Sequence, residues 1–204
     1  MKRFTIIILS AFALMGSASA TVITFEELGA QPNNFASTNP LRNEYAGVGV
    51  KFWGSDGSTG VNGGAILDQS SNFGTGAFSG SNFLAFNGGG TMLNGGTAKG
   101  PEYINFGSPA STVSAMVAVA SSVGSFTFDA FDSGNNLVGS NTIRTQDWAM
   151  LSVSGNNIAY VVFSFQNDNN IAILDDLTFD VVPEPVSMFA LGAGLLALVR
   201  RRRS

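Results

Sequence analysis

Residues 124–143 read "GSFTFDAFDSGNNLVGSNTI". Two short runs rich in Phe, Val, Ile and Thr, "GSFTFDAFD" (124–132) and "NLVGSNTI" (136–143), flank the tetrapeptide Ser133-Gly134-Asn135-Asn136. Such residues suit a pleated, half-buried surface. Gly and Asn tolerate positive φ, so the spacing predicts two strands joined by a hairpin turn. The same tetrapeptide recurs as Ser154-Gly155-Asn156-Asn157, between "WAMLSV" (148–153) and "NIAYVVFSF" (157–165). It predicts a second hairpin. The flanking runs do not match one another, so turn chemistry explains the recurrence better than an internal repeat.

Working outward, the same signature continues along the chain. Further predicted strands are "TVITF" (21–25), "AGVGVKFWG" (46–54), "NFLAF" (82–86), "EYINF" (102–106), "STVSAMVAVA" (111–120) and "IAILDDLTFDV" (171–181). No stretch of the body shows a helical period. Glycine is 25 of 204 residues, well above the usual ~7%, which fits many turns. Short strands at regular spacing predict an all-β fold, an antiparallel β-sandwich of two packed sheets. Residues 54–101 are looser and predict long loops around two or three strands, where binding residues tend to sit.

The two ends differ from this body. Residues 1–20, "MKRFTIIILSAFALMGSASA", combine a basic start (Lys2, Arg3), an apolar run from Phe4 to Met15 and the A-x-A site Ala18-Ser19-Ala20. This is the pattern of a signal peptide, a predicted helix removed by signal peptidase to leave Thr21 first. Residues 183–204 carry Pro183-Glu184-Pro185, a 14-residue apolar run from Val186 to Val199, and Arg200, Arg201, Arg202 and Arg203. As a helix the run would span about 21 Å, short of the ~30 Å hydrocarbon layer. Gly192 and Gly194 weaken it further. The arginines hold that end on the cytoplasmic side. The segment is therefore expected to pause in the inner membrane without anchoring firmly. The domain organisation predicted is signal peptide 1–20, β-sandwich 21–182 and sorting segment 183–204.

Charge and composition exclude several chemistries. The whole chain has 10 basic and 14 acidic residues, net −4. Between 21 and 182 the bases are Arg42, Lys51, Lys99 and Arg144, against thirteen acids, so the body carries 4 − 13 = −9. No basic stripe exists for nucleic-acid phosphates, and cations or neutral polymers fit better. There is no cysteine and no histidine. No disulfide can help the fold, and histidine-based catalysis and the usual zinc sites are excluded.

Pro183-Glu184-Pro185, the apolar run and Arg200–Arg203, in this order at the end of the chain, resemble the PEP-CTERM sorting tail of bacterial exported proteins, also called the ice-binding protein C-terminal domain. The resemblance covers about 22 residues. It implies recognition by exosortase, a membrane protease or transpeptidase of Gram-negative bacteria that make extracellular polysaccharide, and hence a cell-surface or matrix location. No Thr-x-Thr ladder that would match an ice face is present. The body opens with "ITFEEL" and closes with "ILDDLTF". Here it resembles jelly-roll carbohydrate-binding modules, in which such acids meet at a structural calcium ion. That resemblance implies Glu26, Glu27, Asp175 and Asp176 as ligands, and calcium does want six to eight oxygens. Strand alternation puts Ile173, Asp175, Leu177 and Phe179 on one face and Leu174, Asp176 and Thr178 on the other. Asp175 is then the acid on the greasier face, costly unless compensated, and the first choice of ligand. The alternative is that these acids hydrogen-bond loop amides.

Sugar binding needs exposed rings. Trp53 and Trp148 are the candidates, with Tyr45, Tyr103 and Tyr160 behind them. Asp56 and Asn62 lie near enough in sequence to Trp53 to serve hydroxyls. Any one of these rings can equally be a core residue. Asp132-Ser133-Gly134 matches the aspartic-protease triplet but lacks a second copy, so a turn is expected. The triple glycine 88–90 lacks the Lys-Ser/Thr of a phosphate loop. A glycosidase needs only two carboxylates, and no motif supports one. The expected function is a non-catalytic exported protein associated with polysaccharide. The alternatives are a specific sugar-binding module with calcium and, less favoured, a polysaccharide-acting enzyme.

Overall fold

The computed structural model describes residues 20–68, 73–119, 123–167 and 170–182. The apolar runs become nine strands: β1 Ala20–Ile23, β2 Val50–Gly54, β3 Ala65–Asp68, β4 Asn82–Asn87, β5 Glu102–Ala118, β6 Gly124–Phe131, β7 Leu137–Thr145, β8 Ala149–Gln166 and β9 Ile171–Val181. Single 3-10 turns stand at Glu26–Leu28, Phe35–Ser37 and Ala46–Val48. The predicted N-terminal and C-terminal helices, Ala18, the Pro-Glu-Pro motif and Arg200–Arg203 lie outside the described residues. Ala20 opens β1.

Every pairing is antiparallel, in the order β3-β4-β9-β5-β8-β6-β7, with β1 also on β9 and β2 also on β5. The long strands β5 and β8 form a bent ribbon. Their first contact zone, Glu102–Asn105 with Phe163–Tyr160, is separated from the second, Thr112–Val117 with Ser154–Ala149, by register shifts at 105–112. β2 joins β5 in the first zone and β9 joins it in the second. One continuous hydrogen-bonded sheet thus supplies both layers of the jelly-roll-like sandwich. Phenylalanines fill the space between: Phe86 of β4 meets Phe163 of β8 at 5.6 Å, and Phe106 meets Phe179 at 5.1 Å. Each such ring removed from water contributes about 1.5–3 kcal/mol. The described body belongs to one unit, Ser19–Val182.

The two identical tetrapeptides take different paths. Ser133–Asn136 is the hairpin turn between β6 and β7, with Asn135 at φ 62°. Ser154–Asn157 is not a hairpin: it lies inside β8, at the bend. Asn157 does adopt φ 56°, but Ser154 pairs with Thr112 and Ile158 with Ala110, both on β5. The chain therefore bulges and continues rather than reversing. For the same reason "EYINF" and "STVSAMVAVA" merge into β5, and "WAMLSV" and "NIAYVVFSF" into β8. Of "AGVGVKFWG", only Val50–Gly54 is strand; Ala46–Val48 is a 3-10 turn.

The face assignment in β9 also needs correction. The register against β5 shifts between Ser114 and Met116, and Asp176 sits at φ 46°. This bulge breaks the alternation. Leu174, Leu177 and Phe179 join the main core, whereas Ile173 packs with Leu67, Phe73, Phe83 and Ala85 in a second cluster.

Candidate functional site

β6 buries Phe126, Phe128 and Ala130 and turns Ser125, Thr127, Asp129 and Phe131 outward. Phe131 is an aromatic side chain on the polar face. It has company there. Phe131 pairs with Tyr160 of β8 and stacks on it, centroids 5.0 Å apart and 10° between planes. Tyr160 lies 6.1 Å from Tyr103 of β5, whose cross-strand partner is Trp53 of β2. Four neighbouring strands, β6-β8-β5-β2, thus lay a row of rings across one face. At ~4.8 Å per strand the row is about 14 Å long.

The row has a recess and a polar rim. A cavity of about 400 Å³ is lined by Trp53, Tyr103 and Tyr160 together with Ser55, Asn105, Ser133 and Asn135. The Tyr160 hydroxyl donates to Oδ1 of Asn135 at 3.1 Å, tying the ring to the β6–β7 turn. Partial burial and the nearby Tyr103 and Asp132 raise the Tyr160 pKa, so it stays neutral. The turn itself is set by Asp132, whose Oδ1 accepts the N–H groups of Gly134 and Asn136. Side-chain and backbone hydrogen bonds from Asn136 lower the Asp132 pKa. Asp132-Ser133-Gly134 is therefore a turn device, as expected.

Only Trp53 among the non-tyrosine sugar-binding candidates reaches this recess. Oδ2 of Asp56 accepts from the N–H of Val61 and from both the N–H and Nδ2 of Asn62, closing the loop after β2. Oδ1 of Asn62 accepts the N–H of Thr97. Trp148 lies elsewhere, donating from Nε1 to Gly76 and packing edge-on against Phe78 at 5.9 Å. Tyr45 is buried in the core and donates to Oε2 of Glu27. Phe131, Ser55, Asn105, Ser133 and Asn135 are the members that sequence reasoning missed. The alternation in β6 carried the signal for Phe131.

Next to Tyr103 at the start of β5 stands a buried glutamate, with the partly buried Arg42 nearby. Glu102, wholly buried, opens β5 opposite Gly54. Its Oε2 accepts the N–H of Gly64 at 2.8 Å, and Oε1 has no partner. Arg42 Nη1 stands 4.0 Å away, but its guanidinium donates to the carbonyls of Leu41, Gly60 and Asn62. The ion pair is weak at that distance. Burial outweighs both it and the Gly64 bond, and raises the Glu102 pKa to about 8.

The acids proposed as calcium ligands converge on one loop. Asp175 is wholly buried. Its Oδ2 accepts the N–H groups of Phe78 and Ser79, and its Oδ1 that of Asp176. Burial raises its pKa to about 6. Asp176 accepts from the Ser79 hydroxyl at 2.6 Å, and Oε1 of Glu26 from the N–H groups of Ser81 and Asn82. Glu27 turns instead to Thr24 and Tyr45, and hydrogen bonds from Thr24 and Tyr45 outweigh partial burial to lower its pKa. Among the described residues no three such side chains gather as a metal cluster. In this arrangement amide N–H groups and the Ser79 hydroxyl compensate these carboxylates.

Residues 181–203 match the PEP-CTERM protein-sorting motif. The tail is thus a sorting tail, and the chain carries the mark of an exported surface protein. No curated protein matches the chain. Among solved structures, the body resembles the K2 cleaved adhesin domain of Lys-gingipain, at 17% identity and TM-score 0.52, over 80% of this chain and 100% of that one. The K1 adhesin domain from Porphyromonas gingivalis W83 follows at 15% identity and TM-score 0.49, covering 81% and 99%. The module TmCBM61, solved with beta-1,4-galactotriose, aligns at 12% identity and TM-score 0.40 over 70% and 98%. The likeness to the K2 domain is one of fold.

Proposed function

We propose that this is a non-catalytic cell-surface or matrix protein, exported by a Gram-negative bacterium, that holds neutral polysaccharide on the row Trp53–Tyr103–Tyr160–Phe131. On this reading signal peptidase trims the start, exosortase handles the tail, and the inner membrane holds the precursor only in transit. The observation that carries the binding role is four rings on the outward face of a sheet, where polar side chains are the rule. Ring faces stack on the C–H faces of pyranoses, and amides such as Asn105 and Asn135 pair with hydroxyls. The net charge of the body disfavours polyanions. Titration with a panel of neutral and acidic polysaccharides tests the reading. Trp53→Ala and Tyr160→Ala should each weaken binding to a neutral glycan about tenfold or more. Unchanged affinity in both, with folding intact, refutes the site.

A structural calcium ion is a second proposal, favoured by the convergence of Glu26, Asp175 and Asp176 on residues 78–82. Binding would require these carboxylates to exchange amide donors for the ion. Calcium that raises Tm relative to EDTA-treated protein, with the rise lost in Asp176→Asn, supports it; superimposable melts refute it.

A further inference from the structure

β7 ends the sheet, pairing with β6 alone. The other outer strands are short: β1 and β3 have four residues each and β2 has five, whereas β7 has nine. Loops also cover two of them. The N–H of Phe52 in β2 donates to the carbonyl of Arg42, and that of Asp68 in β3 to the carbonyl of Pro32. Among the described residues no such loop bond reaches the backbone of β7. The first half of β8, another edge, is capped by β7 itself. Nδ2 of Asn141 donates to the Ser152 carbonyl at 2.7 Å, and a Cβ at Gly139 would collide with the Ser154 carbonyl. β8 thus supports the inner side of β7 and leaves its outer backbone edge unpaired. Bare N–H and C=O groups template further pairing, so long edges are commonly blunted by proline, lysine, a bulge or a cover. Leu137–Thr145 has no proline and no lysine, and its one register irregularity lies at its first residues, Leu137–Gly139. It carries Arg144 and no acid, in a body with thirteen acids and four bases. Asp129 of β6 is occupied by the Ser140 hydroxyl at 2.6 Å. Two copies can therefore meet along this edge without acid facing acid.

We propose that a second copy of this chain pairs antiparallel with β7, so that one sheet continues across a twofold axis. An antiparallel edge is self-complementary, as an isologous contact requires. The axis stands perpendicular to the sheet, so the outward faces of both copies stay on the same side. Ser140 and Thr142 pair with Asp129 and Thr127 and share the outward face of Phe131. Measured across the strands, the two Phe131 rings then lie three spacings apart, about 14 Å. The pair presents two aromatic rows on one surface, and a glycan that reaches both is held more tightly than by either row alone. That consequence rests on the glycan reading of the row; the pairing does not.

A cysteine scan tests the pairing, since the chain has no cysteine of its own. Ser140, Asn141, Thr142, Ile143 and Arg144 are each replaced by Cys in the full chain. Lys51→Cys, exposed on β2 at the far side of the same sheet, is the control. After mild oxidation the disulfide dimer should peak at the residue on the axis and exceed the Lys51→Cys yield about tenfold, because a bridge needs Cα atoms within about 7 Å. One residue off the axis the two Cα atoms already stand roughly 8 Å apart, so the peak should be sharp. A flat profile at the Lys51→Cys level overturns the inference. A product of any mass other than twice that of the chain means that another protein occupies the edge, and overturns it too. A sharp peak together with unchanged glycan affinity in Trp53→Ala and Tyr160→Ala would keep the pairing and remove the row as the glycan site.

Discussion

Glu102→Gln should stabilise the protein, increasingly so as pH rises. Glu102 has no exposure, one amide donor and an Arg42 group 4.0 Å away. Its pKa stands at about 8 when folded, against 4.5 ordinarily. Because the folded value is the higher one, the associated stability is fully present below pH 4.5 and is lost as pH rises towards 8. At pH 7 the loss is about 1.36 kcal/mol for each of some 2.5 pH steps, or about 3 kcal/mol. Glutamine has the same shape, keeps an acceptor for Gly64 and never ionises. Its NH2 group faces Arg42, which offsets part of the gain at every pH, so the slope is the better readout. Thermal melts at half-unit steps from pH 4 to 9 measure it. At ~2–4 °C per kcal/mol, the curves should diverge by about 6–12 °C between pH 4.5 and 7. Parallel curves would show an ionised carboxylate paired with Arg42, and burial would not be the dominant effect.

Asp175→Asn should destabilise by about 2 kcal/mol, because both carboxylate oxygens accept N–H groups and an amide offers only one oxygen; chemical denaturation at pH 7.5 reads it. Phe163→Ala removes a ring that meets Phe86, Phe126, Phe128 and Phe165, and should cost about 3–5 kcal/mol in the same assay. Phe131→Ala should leave Tm nearly unchanged yet weaken glycan binding severalfold, about 1 kcal/mol, by removing the ring on which Tyr160 rests; calorimetric titration separates the two effects.

Fold class was legible because burial in a sheet imposes a period of two, and runs such as "GSFTFDAFD" carry it. Chain direction was less legible. Ser133–Asn136 and Ser154–Asn157 are chemically identical, and only pairing of both flanks with β5 tells bulge from hairpin. The compensation of Asp175 was foreseen as one of two options; its donors, Phe78 and Ser79, stand almost a hundred residues away. The site was half legible for the same reason. Trp53 announces itself by type, but Phe131, Tyr160 and Tyr103 come together only through register across four strands. Asp56 and Asn62 were near Trp53 in sequence, yet their hydrogen bonds turn inward to close a loop.

β9 is the final strand of the body, yet it lies between β5 and the β4 and β1 strands. A polypeptide secreted N-terminus first must therefore wait for its last segment before those three partners find their common neighbour. Until then their open edges are free to pair with other chains. Export of this protein is consequently a race between completion and aggregation, and holding chaperones should matter more for it than for sandwiches whose closing strand is peripheral.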